Sequence, residues 1–363
     1  MGKDLLEDRF GRFRELPLEL ARLGHEVQGI SLSYRRRSVG AIVDSAPSRD
    51  GQVLWHSLNL VHGFLPALRS YLRNARHVLR DFQPDIIWAC SDAFHAIVGH
   101  WLSQECRTKC VIDLYDNFET FSGTKLPTVL PLFKRAVRGA DGVTCFSQRL
   151  AQRIIQTYPR VKPTAVIESG VNLEWFFPQD RMLCRRKLGL PEDTIIIGTA
   201  GALHGSRDIY TLFRAFKMLA AENSRLHLAM AGPRKRGLQI PDGPRVHDLK
   251  HLPHGQVPTF INSLNLAVIC YSDSAQGRYS FPQKAYEILA CRVPLVAASV
   301  GTMQDLLKDQ PKCLFEPGNP ESLTKAVCSQ LQSPVHLDIP VPTWAVLAKH
   351  LEGFFERICD VDV

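Results

Sequence analysis

The chain has 363 residues, more than one hydrophobic core ordinarily serves, so two domains are expected. Its 45% apolar and 22% charged residues suit a folded globular chain, and it has no apolar run of the roughly 18 residues that a bilayer span needs. The net charge of +8 favours anionic partners and is concentrated in residues 1–170, with 23 lysines and arginines against 17 acidic residues. A solvated basic face is the plainer reading of the same charge. Ten cysteines include no Cys-x-x-Cys pair, and no secretory leader pattern opens the chain, so reduced thiols and a cytoplasmic location are expected.

Short apolar runs alternate with amphipathic helices, the pattern of an α/β protein with parallel sheets. Gly11 to Leu23 predicts a helix that stops at Gly24, and His25 to Ile30 a strand. The segment from Leu54 to Phe82 contains a long helix, with Phe64, Leu65, Leu68, Tyr71, Leu72, Ala75, Leu79 and Phe82 on one face and Arg69, Arg73, Arg76 and Arg80 on the other. Strands are predicted at 85–89, 110–114, 142–146 and 165–167, with a basic helix over 132–138 and another helix opening at Ser147. Gly170 to Pro178 is irregular, and the domain boundary is placed after Pro178. The cycle then restarts: strand 194–199, helix 209–221, strand 226–231, helix 257–263, strand 266–270, helix 281–291 and strand 295–298. A second domain over 179–342 and a terminal amphipathic helix from Trp344 to Ile358 follow. A doubly wound domain normally opens with a strand, whereas this chain opens with a polar stretch that runs straight into a helix, so the first strand of the first domain is missing from it.

In open parallel sheets, ligands sit beyond the carboxyl ends of the strands. After Thr199 comes Ala200-Gly201-Ala202-Leu203-His204-Gly205-Ser206-Arg207-Asp208 and then a helix. Two glycines admit a bulky anion to the backbone, while the helix N-terminus and Arg207 supply positive charge. This reads as a diphosphate cradle or as an ordinary strand–helix loop. After Cys270, the stretch Tyr279-Ser280-Phe281-Pro282-Gln283-Lys284 leads into a helix carrying Glu287, with Ser280 as its cap and Pro282 in its first turn. Lys284 and Glu287 share one helix face. They read as a phosphate cation beside a carboxylate for vicinal ribose hydroxyls, or as a surface i,i+3 ion pair.

Phe281-Pro-Gln-Lys-Ala-Tyr-Glu287, followed by Ala290-Cys-Arg-Val-Pro294, resembles the donor motif of glycosyltransferase family 4, in a subgroup with a Pro-x-Lys-x-x-Glu pattern. Leu20 to Val27, Phe146-Ser147, Val166 to Asn172 with Phe177-Pro178, Gly198 to Leu212 and Trp344 are similar to other family segments in the same order. The resemblance implies a GT-B architecture: an acceptor domain over 1–178, a nucleotide-sugar donor domain over 179–342, and a C-terminal helix over 343–363 crossing back to the first domain. It further implies a retaining, metal-independent transfer of sugar from a UDP- or GDP-linked donor to a saccharide or lipid-linked saccharide, in cell-surface polysaccharide or glycoconjugate synthesis, with no cofactor. No Asp-x-Asp follows a strand as a magnesium site, which agrees with that class.

By this resemblance Arg207 and Lys284 hold the diphosphate, Gly201 and Gly205 permit its approach, and Glu287 holds the ribose. His204, Tyr279, Ser280, Phe281, Pro282 and Gln283 complete the donor site. The chain departs from the family in three places. Tyr279 stands where a first acid is usual, Ala202 where an arginine is usual, and Tyr115-Asp116-Asn117 where a histidine often follows the strand. The last three residues are therefore assigned to the acceptor, and His95 becomes the candidate first-domain histidine, its alternative being a satisfied histidine at a helix start. Basic residues 35–37 and 134–135 suit peripheral contact with an anionic membrane at its inner face. A nucleic-acid role finds no finger, homeodomain or aromatic platform. A catalytically silent GT-B partner subunit and a sugar-nucleotide epimerase of the same fold are the alternatives.

Overall fold

The computed structural model describes residues 10–33, 40–45, 51–59, 64–159, 163–204, 207–281 and 283–360. The chain divides into two compact units, Met1–Gly170 together with Trp344–Val363, and Val171–Thr343.

In the first unit, α1 (Arg12–Arg22) leads to β1 (Val27–Ser33), β2 (Gly40–Ser45) and β3 (Gln52–Asn59). These are followed by α2 (Phe64–Phe82), β4 (Ile86–Ala89), α3 (Ala93–Cys106) and β5 (Lys109–Leu114), and then by α4 (Val129–Gly139), β6 (Gly142–Cys145), α5 (Gln148–Thr157) and β7 (Thr164–Val166). The strands form two sheets, β1-β3-β2 and β4-β5-β6-β7. All pairings in this unit are parallel except β2 with β3, which is antiparallel, a departure from the all-parallel expectation. Leu54 therefore lies on a strand, and the long helix begins only at Phe64.

The buried stripe of α2, with Tyr71, Ala75 and Leu79, packs on Leu32, Val98 and Leu102. Arg69, Arg73 and Arg80 are exposed, while Arg76 pairs with Glu105 and lies over the Trp101 ring at 4.7 Å.

One ion pair organises this unit. Arg12 is buried at the start of α1, and its Nε and Nη2 donate to the two carboxylate oxygens of the fully buried Asp113 on β5, at 2.9 and 2.6 Å. Its Nη1 donates to the carbonyls of Ile167 and Glu168 at 2.7 and 2.8 Å, and the Thr144 hydroxyl on β6 donates to Asp113 at 2.6 Å. Five hydrogen bonds thus join the helix start, two strands and the chain beyond β7.

The second unit contains α6 (Arg181–Leu188), β8 (Ile195–Ala200), α7 (Ile209–Glu222), β9 (Leu226–Ala231), β10 (Val246–Asp248), α8 (Val257–Ser263) and β11 (Leu266–Ile269). It continues with α9 (Gln283–Ala290), β12 (Leu295–Ala298), α10 (Gly301–Leu306), β13 (Leu314–Phe315) and α11 (Pro320–Gln332). Its six strands run parallel in the order β10-β9-β8-β11-β12-β13. Continuous apolar runs such as Ile196-Ile197, Leu266 to Ile269 and Leu295-Val296 are fully buried, as strands covered on both faces should be. Arg185 of α6 is buried. Its guanidinium donates to the carbonyls of Ser263, Glu192 and Thr194 and to Oδ1 of Asn265.

The last helix, α12 (Trp344–Cys359), belongs to the first unit. Trp344, Leu347, Ala348 and Leu351 bury themselves against Leu16, Leu20 and Ile167, and Phe354 and Ile358 against Val111. All ten cysteines are unbridged.

Candidate functional site

In the second unit, the turns after β8 and β9 are locked together. Gly201 (φ 110°) donates its N–H to the Ala231 carbonyl at 2.8 Å, and Leu203 donates to the Pro233 carbonyl at 2.8 Å. The Lys235 N–H returns to the Leu203 carbonyl at 3.1 Å. Gly232 (φ 140°) must be glycine, because a Cβ there would lie 2.0 Å from the Gly201 carbonyl oxygen. Asp208, itself at φ 57°, accepts from the Thr211 hydroxyl at 2.8 Å and from the Gly318 N–H at 2.9 Å, so the start of α7 is fastened to a third loop.

Lys284 on α9 reaches this turn. A Cβ placed on Gly201 would be 3.0 Å from the Lys284 ammonium nitrogen, so the missing side chain at 201 is what leaves room for the lysine. The Arg207 guanidinium lies over the Tyr271 ring at 5.6 Å, and the Arg207 N–H donates to the His204 carbonyl at 3.0 Å. Burial first, and then repulsion from Arg207, bring the Lys284 ammonium down to about 8. His204 is lowered by burial, then by Arg207, Lys235 and Lys284. Three cations therefore act on one imidazole, an arrangement that a bound anion relieves.

One turn along α9, buried Glu287 accepts from Gln283 Nε2 at 2.9 Å. Burial raises this carboxyl to about 7, against the opposing pull of Gln283 and Lys284. Phe281 is buried with its ring 4.7 Å from that of Tyr286, and Tyr279 and Ser280 donate their N–H groups to the Gln276 carbonyl in the loop before α9. Gly301 (φ 55°) lets α10 approach that loop, since a Cβ there would stand 2.7 Å from the carbonyls of Gly277 and Arg278. Cys270, pushed up to about 12 by burial and then by Asp208, is a packed thiol.

The structure thus brings together Gly201, His204, Arg207 and Lys284, with Gln283 and Glu287 on the same helix as the lysine. Gly205 and Pro282 lie outside the described residues, as do the basic residues 35–37. Helix α9 begins at Gln283, two residues later than expected. Lys235, Gly232 and Asp208 were not singled out from sequence. The basic run Arg234-Lys235-Arg236 directly after a strand and a glycine is the signal that marks the first two.

The remaining candidates belong to the first unit, at the carboxyl ends of β4 and β5. Asp92 caps α3, accepting from the His95 N–H at 3.0 Å, and its Oδ1 also lies 2.8 Å from His95 Nδ1. The His95 ring is buried edge-on between Tyr71 and Phe94, so its local contacts are those of a satisfied helix-start histidine, with Nε2 as the remaining polar ring atom. Tyr115 packs edge-on against Phe13 and Phe118, and its phenol is raised by burial and then by Asp116, Asp92 and Asp113. Asp116 and Asn117 are buried; Asp116 accepts from the Asn117 N–H at 2.7 Å, and Asn117 accepts the Thr120 hydroxyl at 2.7 Å. Asp92 thus contacts His95 and also acts on the Tyr115 phenol.

Two sequence profiles match the chain: Glycosyltransferase Family 4 over residues 12–175 and Glycosyl transferases group 1 over residues 194–333. The chain belongs to the GT-B glycosyltransferases of family 4 type. A D-inositol 3-phosphate glycosyltransferase of Stackebrandtia nassauensis is 29% identical over 205 residues, which cover 52% of this chain and 45% of that protein. The chain spans about half the length of such relatives, 45% and 51% for two of them. Among solved structures, a sucrose-phosphate synthase from Thermosynechococcus elongatus superposes with a TM-score of 0.72 at 18% identity, covering 96% of this chain and 90% of that one. Anabaena HepE in complex with UDP-glucose gives 0.66 at 19% identity, covering 92% and 97%. These likenesses establish the fold shared by the GT-B chain and its neighbours. Among the described residues, no helix of this GT-B chain is long and apolar enough to cross a membrane.

Proposed function

We propose that this GT-B chain is a retaining glycosyltransferase that moves a sugar from a nucleoside-diphosphate sugar to a saccharide or lipid-linked saccharide. The observation that carries the reading is the convergence of Lys284 and Arg207 on the glycine turn after β8, with Glu287 one turn further along α9. The names of neighbours support the donor class, since HepE is described in complex with UDP-glucose.

Glycosyl transfer breaks a sugar–phosphate bond through an oxocarbenium-like state, and negative charge grows on the departing diphosphate. In our reading Arg207 and Lys284 stabilise that charge, assisted by Lys235 and the N-terminus of α7, with Gly201 and Gly205 allowing backbone approach. Glu287 accepts hydrogen bonds from the two ribose hydroxyls, oriented by Gln283. Tyr279, Ser280, Phe281 and Pro282 border the sugar, and His204 lines the diphosphate. His95, Tyr115, Asp116 and Asn117 serve the acceptor. Attack on the donor's own face, without a dedicated base or a metal ion, retains the anomeric configuration. The exposed Arg135 and Arg138 on α4, beside exposed Leu132, suit peripheral attachment to an anionic membrane, which fits synthesis of a cell-surface glycan.

This reading fixes the pH dependence of donor binding. Lys284 loses its charge as pH rises through about 8, and Glu287 loses its own as pH falls through about 7. A diphosphate needs the ammonium and a ribose needs the carboxylate, so affinity is greatest between those values and weakens on both sides. Calorimetric titration of a nucleoside-diphosphate sugar, whose phosphates do not ionise in this range, checks this. Above pH 8 binding should also take up a proton, because the bound anion restores the lysine's charge. A flat affinity from pH 6 to 9.5 would remove Lys284 and Glu287 from the donor site.

A further inference from the structure

Two like charges are held close together at the turn after β8. Strands β8 and β11 run side by side with Gly198 opposite Ala267, so they end at one level, β8 at Ala200 and β11 at Ile269. Just beyond those ends stand Gly201, with the Lys284 ammonium against it, and Cys270-Tyr271. Lys284 is rooted on α9, where Ala285 to Leu289 are all buried. After burial, Arg207 is the largest influence on the lysine. The other groups acting on Lys284 are Cys270, which burial keeps a neutral thiol, and Glu287 on the same helix. His204 feels both cations. Arginine carries its charge on a long, flexible stem, so repulsion from Lys284 favours turning the guanidinium away into water.

The Tyr271 ring opposes that escape. The guanidinium carbon of Arg207 lies 5.6 Å from the ring centroid, and Tyr271 itself is 9% exposed. A cation over an aromatic face is attracted by the ring quadrupole, more strongly where water is excluded. Asp208, the next residue, fixes the backbone at the root of Arg207 through Thr211 and Gly318. With the root fixed, the ring decides where the charged head rests.

We infer that Tyr271 is a positioning residue of the donor site: its ring face holds the Arg207 guanidinium close to Lys284, so that the two cations meet a diphosphate as one preformed clamp. Bringing the like charges together is then accomplished by folding and is not charged against binding. This role rests on the donor reading above, whereas the contact between Arg207 and Tyr271 does not.

The test compares Tyr271→Leu, which removes the ring face, with Tyr271→Phe, which keeps it. The titration of Lys284 is read first, without nucleotide, from the pH dependence of its acetylation by acetic anhydride, followed by mass spectrometry. In Tyr271→Leu the repulsion from Arg207 is relieved, so the midpoint should rise from about 8 toward the ordinary lysine range, and in Tyr271→Phe it should stay. Affinity for a nucleoside-diphosphate sugar at pH 7 should fall about five- to tenfold in Tyr271→Leu and by about twofold at most in Tyr271→Phe. The alkaline weakening of that binding should move to higher pH in the leucine variant alone. Arg207→Ala by itself should raise the Lys284 midpoint, and in that background Tyr271→Leu should change nothing further, because the ring acts through the arginine. An unmoved midpoint in Tyr271→Leu, equal effects of leucine and phenylalanine, or a leucine effect that persists without Arg207 would each overturn the inference, the last by marking a packing residue. An unmoved midpoint in Arg207→Ala overturns it even where the leucine variant does not fold. The titration needs no nucleotide, so a shifted midpoint in protein that binds no nucleotide sugar marks failure of the donor reading, and an unmoved midpoint in protein that binds one marks failure of the positioning role.

Discussion

Replacing Lys284 by alanine should lower turnover by about 10²- to 10³-fold, the size of effect seen when one preorganised charge-stabilising donor is removed, about 3–4 kcal/mol. The protein should remain folded, and its thermal midpoint should not fall. The reason lies in the direction of the lysine's shift. Burial and Arg207 both disfavour the ammonium in the empty site, so folding holds a charge there at a cost. Removing it relieves the cost while removing the partner for the leaving diphosphate. Loss of activity without loss of stability is the mark of a functional residue rather than a packing one. Lys284→Arg, which keeps a cation but adds bulk beside the Gly201 backbone, should recover part of the rate. A Lys284→Ala protein with unchanged kcat and unchanged donor affinity would show that the diphosphate lies elsewhere.

The Arg12→Ala substitution has the opposite character. It should destabilise the first unit by about 3–5 kcal/mol, because it strips the partner from a fully buried carboxylate. Among the described residues, Asp113 would keep the Thr144 hydroxyl bond alone, and the carbonyls of Ile167 and Glu168 would lose their shared donor. Urea unfolding followed through the first unit's tryptophans checks the magnitude. The double substitution Arg12→Leu with Asp113→Leu should be less destabilising than Arg12→Ala alone, since it removes the stranded charge together with its partner. If Arg12→Ala cost under about 1 kcal/mol, the pair would be no more than a surface-type contact.

Much of this architecture is legible in the sequence for identifiable reasons. The runs Ile195-Ile196-Ile197 and Leu295 to Ala298 are apolar throughout, and Leu226 to Ala231 is interrupted only by His227, as suits strands covered on both faces, and each is bounded by polar, glycine or proline punctuation. The terminal helix from Trp344 carries its apolar residues at helical spacing; Trp344, Leu347 and Leu351 bury against α1, and Phe354 and Ile358 against Val111 of β5. The elements not read from the sequence include β3, α3 and α11, which are long, and others that are short or edge-like. Val246–Asp248 is a three-residue edge strand with two polar positions, and Gly40–Ser45 pairs antiparallel at the rim of a sheet in a segment without a long apolar run. Helix α6 is eight residues long, and its arginine Arg185 faces inward, where a pattern reader expects solvent.

The donor motif shows the same division. Lys284 and Glu287 could be placed on one helix face from spacing alone, and Gly201 and Arg207 could be placed after a strand. That Gly201 leaves room for Lys284, and that Lys235 joins the cluster, depends on the turns after β8 and β9 being hydrogen-bonded to each other. These two turns are about thirty residues apart in the chain, and no local pattern records their contact. Arg12 was hidden for a related reason, its partners Asp113, Ile167 and Glu168 all lying more than a hundred residues away.

The most direct measurement is the thermal unfolding of the wild-type chain and of the Lys284→Ala, Glu287→Gln double variant with UDP-, GDP- and ADP-linked sugars. The expected result is stabilisation of the wild type by one nucleoside class, about 2.7 kcal/mol at a hundredfold excess over Kd, and loss of that response in the double variant. No response to any of the three donors, or an equal response in the double variant, would contradict a donor site built on Lys284 and Glu287.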